Sequence, residues 1–361
     1  MSKKSELQKL RDKIDETDNK LLTLINERAR LATVVAEIKR AEAEHVEYYR
    51  PEREAQVLTE IIKNNPGPLD DLEAARLFRE IMSACLALEQ KLEVAFLGPP
   101  ATFTQAAALK HFGHAVNTIP QTSIADVFRK VESGACHYGV VPVENSTEGA
   151  INQTLDLLIS SSLKICGEVQ LRIHHNLLSH VKTLTEIKRV YSHEQSLAQC
   201  RSWLDKNLPM VERTAVSSNA EAAMAAEKDP TSAAIAGTIA AEYYKLPLLE
   251  KNIEDEPDNT TRFLIIGQNI VRASGKDKSS ILFANANVPG ALQKSLACFA
   301  KNDINMSHIE SRPSSHGMWE YVFFVDVDGH IDDSLMQKVL EDLKHHTLML
   351  KVLGSYPIAV L

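Results

Sequence analysis

The chain has 361 residues, 44% hydrophobic and 24% charged, enough for two or three domains at roughly 100–200 residues each. A formal charge of −8 argues against a general nucleic-acid binder, which carries a basic footprint, and no apolar run approaches the roughly 18 residues of a membrane span. Five scattered cysteines without a C-x-x-C pair argue against a disulfide framework or a zinc site. The charged start, Met1 to Glu6, has no apolar signal core, so a cytoplasmic protein without metal or cofactor is expected.

From Leu7 to Ile38 apolar residues recur in steps of three and four, through Leu10, Ile14, Leu21, Leu24, Leu31 and Val35. This is the seam of one long helix, with Ser5 and Gln8 as a capping box at its start. Such a helix is about 50 Å long, more than so short a module can cover by itself, so two copies are expected to pack side by side. Two shorter helices follow. One opens at Pro51, where a missing N–H does no harm, and ends at Asn64-Asn65-Pro66-Gly67-Pro68. The other is capped by Asp70 with Glu73 and runs to about Leu92.

Arg28 interrupts the seam, and a buried guanidinium needs a partner. An ion pair with Glu27 or Glu54 would satisfy it. Lys39, however, lies about 20° around the helix from Arg28, Arg53 and Glu54 open the next helix, and Arg11, off that face, can reach a neighbouring copy. Cations converging on a bundle interior describe a pocket for a small dianion. The pattern resembles the all-helical chorismate mutases over residues 1–92. That resemblance implies an intertwined helical dimer in which Arg11 from a second copy, Arg28 and Arg53 clamp two carboxylates. Lys39 then meets the ether oxygen and Glu54 the ring hydroxyl. Arg50, Cys85 and Glu89 stand where that family more often has Asp, Ser and Gln, and are expected in the same pocket. The rearrangement needs no nucleophile, only a held conformer and positive charge at the developing oxyanion. Glu89 donates a hydrogen bond only when protonated, so its carboxyl is expected to titrate high and the mutase to slow as pH rises.

Beyond Glu93 the period shifts to short apolar strands between helices, from Val94-Ala95-Phe96-Leu97-Gly98 through Ala106–Phe112 to Tyr138–Val143. This is α/β organisation. The turn Gly98-Pro99-Pro100-Ala101-Thr102-Phe103-Thr104 is neither G-x-G-x-x-G nor a Walker loop, which disfavours NAD and ATP chemistry. It still leads into a helix whose free N–H groups, with Thr102 and Thr104, suit an anion. Three polar clusters sit at strand ends: Pro142 to Gly149, Tyr191 to Gln195 with Gln199-Cys200-Arg201, and Asp258 to Phe263. Each alone reads as a capped turn; together they mark where open α/β sheets bind ligands.

The Val-Pro-Val-Glu-Asn-Ser-x-Glu-Gly run at 141–149 and Thr261-Arg262-Phe263 resemble prephenate dehydratase over 93–270. The resemblance implies two α/β subdomains around a cleft, like a periplasmic solute-binding protein, the chain crossing near Glu168–Ile173 and returning near Thr260–Ile266. It also implies that Thr261 is essential, that Arg262 and Phe263 shape the site, and that Glu144, Asn145 and Ser146 belong to it. Loss of the ring hydroxyl and CO2 is driven by aromatisation. Thr261 is read as a hydrogen-bond donor to the departing oxygen, with Glu144, Glu148 and His193 as open alternatives for the proton source. Ala101 stands where that family has glycine and tolerates a positive φ less well.

Residues 271–279 read as a polar linker. Over 280–361, strands are expected at Ser280–Ala286, Asn305–Ser311, Trp319–Val327 and Leu348–Leu353, with helices at Pro289–Ala300 and Asp332–His345, a ferredoxin-like α+β order. Gly290-Ala291-Leu292 and Glu310-Ser311-Arg312-Pro313 resemble the effector motifs of a phenylalanine-responsive ACT domain, which implies L-phenylalanine bound there between paired domains. A passive dimerisation module is the plainer alternative. Taken whole, the chain resembles the bifunctional chorismate mutase–prephenate dehydratase family. The implied activity is chorismate to prephenate to phenylpyruvate, inhibited by L-phenylalanine, in a homodimer or higher even-numbered oligomer. Its rivals are a dehydratase with an inactive mutase segment and a non-enzymatic solute-binding sensor.

Overall fold

The structure is a computed structural model that describes residues 3–42, 47–313 and 321–361. Helix α1 (Lys3–Glu42) runs unbroken through the heptad seam, and the seam is bare: Leu10, Ile14, Leu24 and Leu31 are each more than half exposed. Helices α2 (Pro51–Asn64) and α3 (Asp71–Glu89) pair with each other, and α3 also touches α1. Asp70 caps α3 by accepting from the Leu72 N–H at 2.9 Å. Glu73 pairs with Arg76 at 2.8 Å instead of closing a capping box, and the Ser5 side chain lies outside the described residues.

The first lobe of the middle segment contains β1 (Glu93–Leu97), α4 (Phe103–Phe112), β2 (Asn117–Gln121), α5 (Ile124–Glu132), β3 (Tyr138–Asn145), β4 (Gly149–Ala150), α6 (Asn152–Ser160) and β5 (Lys164–Arg172). The second contains β6 (Asn176–Ser179), β7 (Arg189–His193), α7 (Glu194–Gln199), α8 (Arg201–Asn207), β8 (Glu212–Val216), α9 (Asn219–Lys228), β9 (Ser232–Ala236), α10 (Thr238–Tyr244) and β10 (Leu248–Glu250). Strand β11 (Thr260–Gly267) then returns to the first sheet, whose order is β2-β1-β3-β11-β5 with β4 on β3; the second sheet runs β10-β6-β9-β7-β8. Strands β5 and β11 are the two crossings between lobes and lie antiparallel, with Thr261 opposite Leu171. Their apolar runs are nearly continuous because both faces of the sheet are covered.

The C-terminal segment forms β12 (Asp277–Ala284), α11 (Ala291–Lys301), β13 (Met306–Pro313), β14 (Tyr321–Asp328), α12 (Ser334–His346) and β15 (Met349–Pro357), in a sheet ordered β13-β14-β12-β15. Trp319, expected to open the third strand, lies outside the described residues. Strand β12 begins inside the stretch read as a linker. There the Asp277 carboxylate accepts from the Ser274 and Gly275 N–H groups at 2.9 and 3.0 Å, so a turn tied back by a carboxylate replaces loose chain.

This sheet is welded to the first lobe. Leu282, Val322, Phe324, Leu353 and Tyr356 share one core with Val141, Leu155, Leu264 and Ile266. At Gly354 a Cβ would stand 2.1 Å from the Ile165 carbonyl oxygen. The Lys351 ammonium donates to the carbonyls of Leu158, Ile159 and Ser161 at 2.9, 2.9 and 2.6 Å, satisfying acceptors that the end of α6 leaves open. Between the two layers, Glu168 accepts from Arg262 at 2.8 Å and from Lys278 at 2.7 Å, while Arg262 also pairs with Asp326 at 2.6 Å. Two cations and two anions balance, which is the condition for charges to persist this deep.

Candidate active sites

The two lobes enclose a cleft of about 880 Å³ at the mouth of the crossing strands. Thr261 and Asn145 face each other across the β11–β3 ladder, and cross-strand partners share a face of the sheet. Both line the cleft. The Asn145 amide Nδ2 donates to Thr261 Oγ1 and to Asn259 Oδ1, each at 2.8 Å. Since Thr261 Oγ1 is an acceptor in that bond, its own proton is free to point at a ligand. Gln199, reaching over from α7 in the second lobe, donates to Glu148 at 3.2 Å and accepts from Asn259 Nδ2 at 3.2 Å. Its carbonyl also lies 2.8 Å from His175 Nε2. That geometry makes Nε2 the donor, and burial drives the His175 pKa down, against the pull of Gln199. One hydrogen-bonded chain of amides, Gln199, Asn259 and Asn145, therefore links Glu148 to the Thr261 hydroxyl, with an amide N–H donating at each end.

Burial raises the Glu148 carboxyl above its ordinary value, with His193 and Gln199 acting the other way. Among the described residues lining the cleft there is no lysine or arginine. Anions here meet hydroxyls, amides and the N-terminus of α4, where Thr102 and Thr104 lie. The Thr102 hydroxyl already donates to the Leu97 carbonyl at 3.1 Å. Ala101 holds φ at 68°, the left-handed backbone that glycine reaches without a Cβ penalty.

At the helical end, Glu89 at the close of α3 faces the α1 cations. Burial lifts its carboxyl, opposed by Lys39 and Arg28. Cys85, one turn earlier, is buried. Arg11 on α1 and Arg53 on α2 are both exposed. Arg50 turns to Glu52 at 2.7 Å. Glu54 is not with Arg28 or Lys39: Arg79 donates to it at 3.1 Å, and the same guanidinium donates to the Lys110 carbonyl of α4 at 2.9 Å. Glu54 sits at the seam between the helices and the first lobe because α2 turns that face toward α4 and β5. Burial raises its carboxyl, opposed by Arg79.

Family models match in the order chorismate mutase type II over residues 10–90, prephenate dehydratase over 94–270 and ACT domain over 279–345. A bifunctional chorismate mutase/prephenate dehydratase of Stutzerimonas stutzeri is 56% identical over 365 aligned residues, covering 100% of both chains. The chain belongs to the bifunctional chorismate mutase/prephenate dehydratase family. A second member, from Pseudomonas aeruginosa, is also 56% identical over the full length of both chains. The structure of an Arthrobacter aurescens prephenate dehydratase, described as a complex with L-Phe, superimposes with a TM-score of 0.68 at 34% identity, covering 74% of this chain and 90% of that one. This enzyme joins mutase, dehydratase and ACT domains in one chain.

Several residues expected in the dehydratase site lie elsewhere. Arg262 points to the opposite face of its sheet from Thr261, into the Glu168–Asp326 cluster. Glu144, its cross-strand partner, goes with it and lies 3.8 Å from His308. Ser146 turns outward, its Oγ accepting from the Thr260 N–H at 3.0 Å. Strand alternation is the reason: neighbours in a motif face opposite ways. Phe263, two residues from Thr261, does line the cleft and is buried. His175 and Phe103, whose rings meet edge to face at 5.8 Å, were missed; the His174-His175 pair at the end of a crossing strand was the available signal.

In the ACT domain, Gly290 adopts φ 79° immediately before Ala291 and Leu292 open α11. Glu310, Ser311 and Pro313 lie on β13, the edge strand of that sheet. Arg312 departs from the expected effector group. It reaches α6 of the dehydratase domain, contacting Asn152 and pairing with Asp156 at 2.9 Å.

Proposed function

We propose that the cleft binds prephenate and that Thr261 donates its hydroxyl proton to the departing ring oxygen. The observation that carries this reading is the Asn145–Thr261 hydrogen bond, which occupies one lone pair of the hydroxyl and leaves its proton free to donate toward the cleft. A threonine hydroxyl is too weak an acid to supply the proton outright. Glu148 is the source: it lines the same cleft and has its carboxyl raised by burial, while the amide chain from Gln199 to Asn145 fixes its place relative to Thr261 without carrying the proton. Glu144, on the other face, is set aside. The absence of lysine and arginine among the described lining residues suits the second half of the reaction. A fixed cation would hold the ground-state carboxylate more tightly than the neutral CO2 it becomes, raising the barrier.

The mutase half uses Arg28, Lys39 and Glu89 on one copy and Arg11 from a second, with Cys85 in the wall. The bare α1 seam supports a homodimer. Prephenate released there feeds the cleft, giving phenylpyruvate, and L-phenylalanine acts on the ACT domain near Gly290, Ala291 and Leu292 and the β13 edge. The L-Phe complex of the Arthrobacter aurescens dehydratase supports an effector of this class. No described helix is long and apolar enough to cross a membrane, and all five cysteines are free and buried, in keeping with a reducing, cytoplasmic location. The test is Thr261→Val. Loss of a single transition-state donor lowers kcat for prephenate by about 100- to 1,000-fold while the chorismate rearrangement in the same preparation is unchanged. Retention of dehydratase turnover would refute the assignment.

A further inference from the structure

Strand β11 carries two consecutive side chains with different loyalties. Thr261 faces the cleft, and Arg262 faces the ACT sheet. The guanidinium is gripped from three directions: Nε by Glu168 of crossing strand β5 at 2.8 Å, Nη1 by Asp326 of β14 at 2.6 Å, and Nη2 by the Tyr356 hydroxyl of β15 at 3.1 Å. The grip is itself braced. Tyr356 is fully buried and shares a 2.8 Å hydrogen bond with Ser280, and Lys278 of β12 holds the other oxygen of Glu168 at 2.7 Å. Directly after Arg262 the β11–β3 ladder slips: Arg262 opposes Glu144 but Phe263 opposes Pro142, leaving Val143 as an extra residue. A bulge loosens local pairing and re-aims neighbouring side chains, so the β3 side of the ladder does not lock the aim of Thr261, while the β5 side pairs without a break from Thr260 to Ile265.

We propose that Arg262 is a positioning residue rather than a substrate contact, and that Asp326 and Tyr356 of the ACT domain, by holding it, set the Thr261 hydroxyl for dehydration. This rests on the reading of Thr261 as the donor in the cleft. The sensor domain is then part of the dehydratase machinery even without effector, because two of its side chains complete the support of the catalytic strand. A preorganised donor displaced by about 1 Å loses on the order of 100-fold in rate, so the support is worth having on the kcat side.

The experiment is steady-state kinetics on the full chain with prephenate and with chorismate, for Asp326→Asn, Tyr356→Phe, Thr261→Val, and Asp326→Asn combined with Thr261→Val. Asp326→Asn and Tyr356→Phe are expected to lower dehydratase kcat by about 10- to 100-fold, with KM for prephenate and the mutase rate unchanged. In the Thr261→Val background, Asp326→Asn is expected to add nothing, since it acts through that hydroxyl. Unaltered kcat in both single variants overturns the proposal. So does a loss shared equally by the mutase, which marks a purely structural role, or a further loss in the Thr261→Val background, which marks a route that bypasses Thr261. Full activity of Thr261→Val itself would instead overturn the underlying reading of the cleft, and the proposal with it.

Discussion

His111 on α4 offers a sharp thermodynamic test of how the helical segment meets the dehydratase. Its Nε2 lies 3.1 Å from the Tyr49 hydroxyl, just ahead of α2, and burial, reinforced by Arg79, lowers its pKa from 6.5 to about 3. The native state therefore takes up a proton later than the unfolded chain as pH falls. Stability from this group is complete above the unfolded value of 6.5, declines below it, and levels off only near the folded value. At pH 5.0 the unfolded imidazole sits 1.5 pH units past its midpoint, and at about 1.4 kcal/mol per unit the loss is about 2 kcal/mol. His175 is depressed in the same sense, so the comparison must be with a variant. Scanning calorimetry at pH 7.5 and 5.0 should show the dehydratase transition of wild type falling roughly 4–8 °C further than that of His111→Gln. Parallel shifts in the two proteins would refute a neutral, buried His111 at this seam.

Other expectations bear on the two ends of the chain. Mutase turnover should fall as pH rises through the elevated Glu89 carboxyl, and Glu89→Gln should flatten the profile; a wild-type rate constant from pH 5 to 9 would count against a protonated Glu89. Leu24→Glu, in the exposed α1 seam, should yield monomers by sedimentation that lack mutase activity but retain dehydratase turnover, whereas an unchanged dimer would show that another surface pairs the chains. Gly290→Trp should abolish L-phenylalanine inhibition at undiminished dehydratase kcat, since the tryptophan must take a left-handed φ beside the expected ligand; full inhibition would place the effector elsewhere.

Much of the architecture was legible because periodicity announces it. The steps of three and four from Leu7 to Ile38 became α1, and the apolar runs flanked by Asn, Thr and Ser became strands opening on a cleft. Contacts between distant elements were less legible. Glu54 looked like a pocket residue from its place beside Arg53, yet Arg79, 25 positions on, claims it. Thr261-Arg262-Phe263 read as one site, although a period of two within any strand puts the arginine on the other face from its neighbours. That inference was available from sequence alone; its partner across the layer, Asp326, was not. Arg312 likewise kept its motif but spends its charge on Asp156, a pairing that depends on how two sheets stack and that local pattern does not encode.

The close stacking at Gly354 and the shared core beneath it bear on how such a gene can be cut. A reading frame stopped after Gly267 would not yield an unregulated enzyme. It would yield a chain whose first lobe presents Val141, Leu155, Leu264 and Ile266 to water, an apolar patch of the kind that drives aggregation, with Arg262 stripped of Asp326 and Tyr356 and Glu168 of Lys278. Deletion of the sensor is therefore expected to cost this chain its dehydratase core, whereas point changes at the effector surface leave that packing in place.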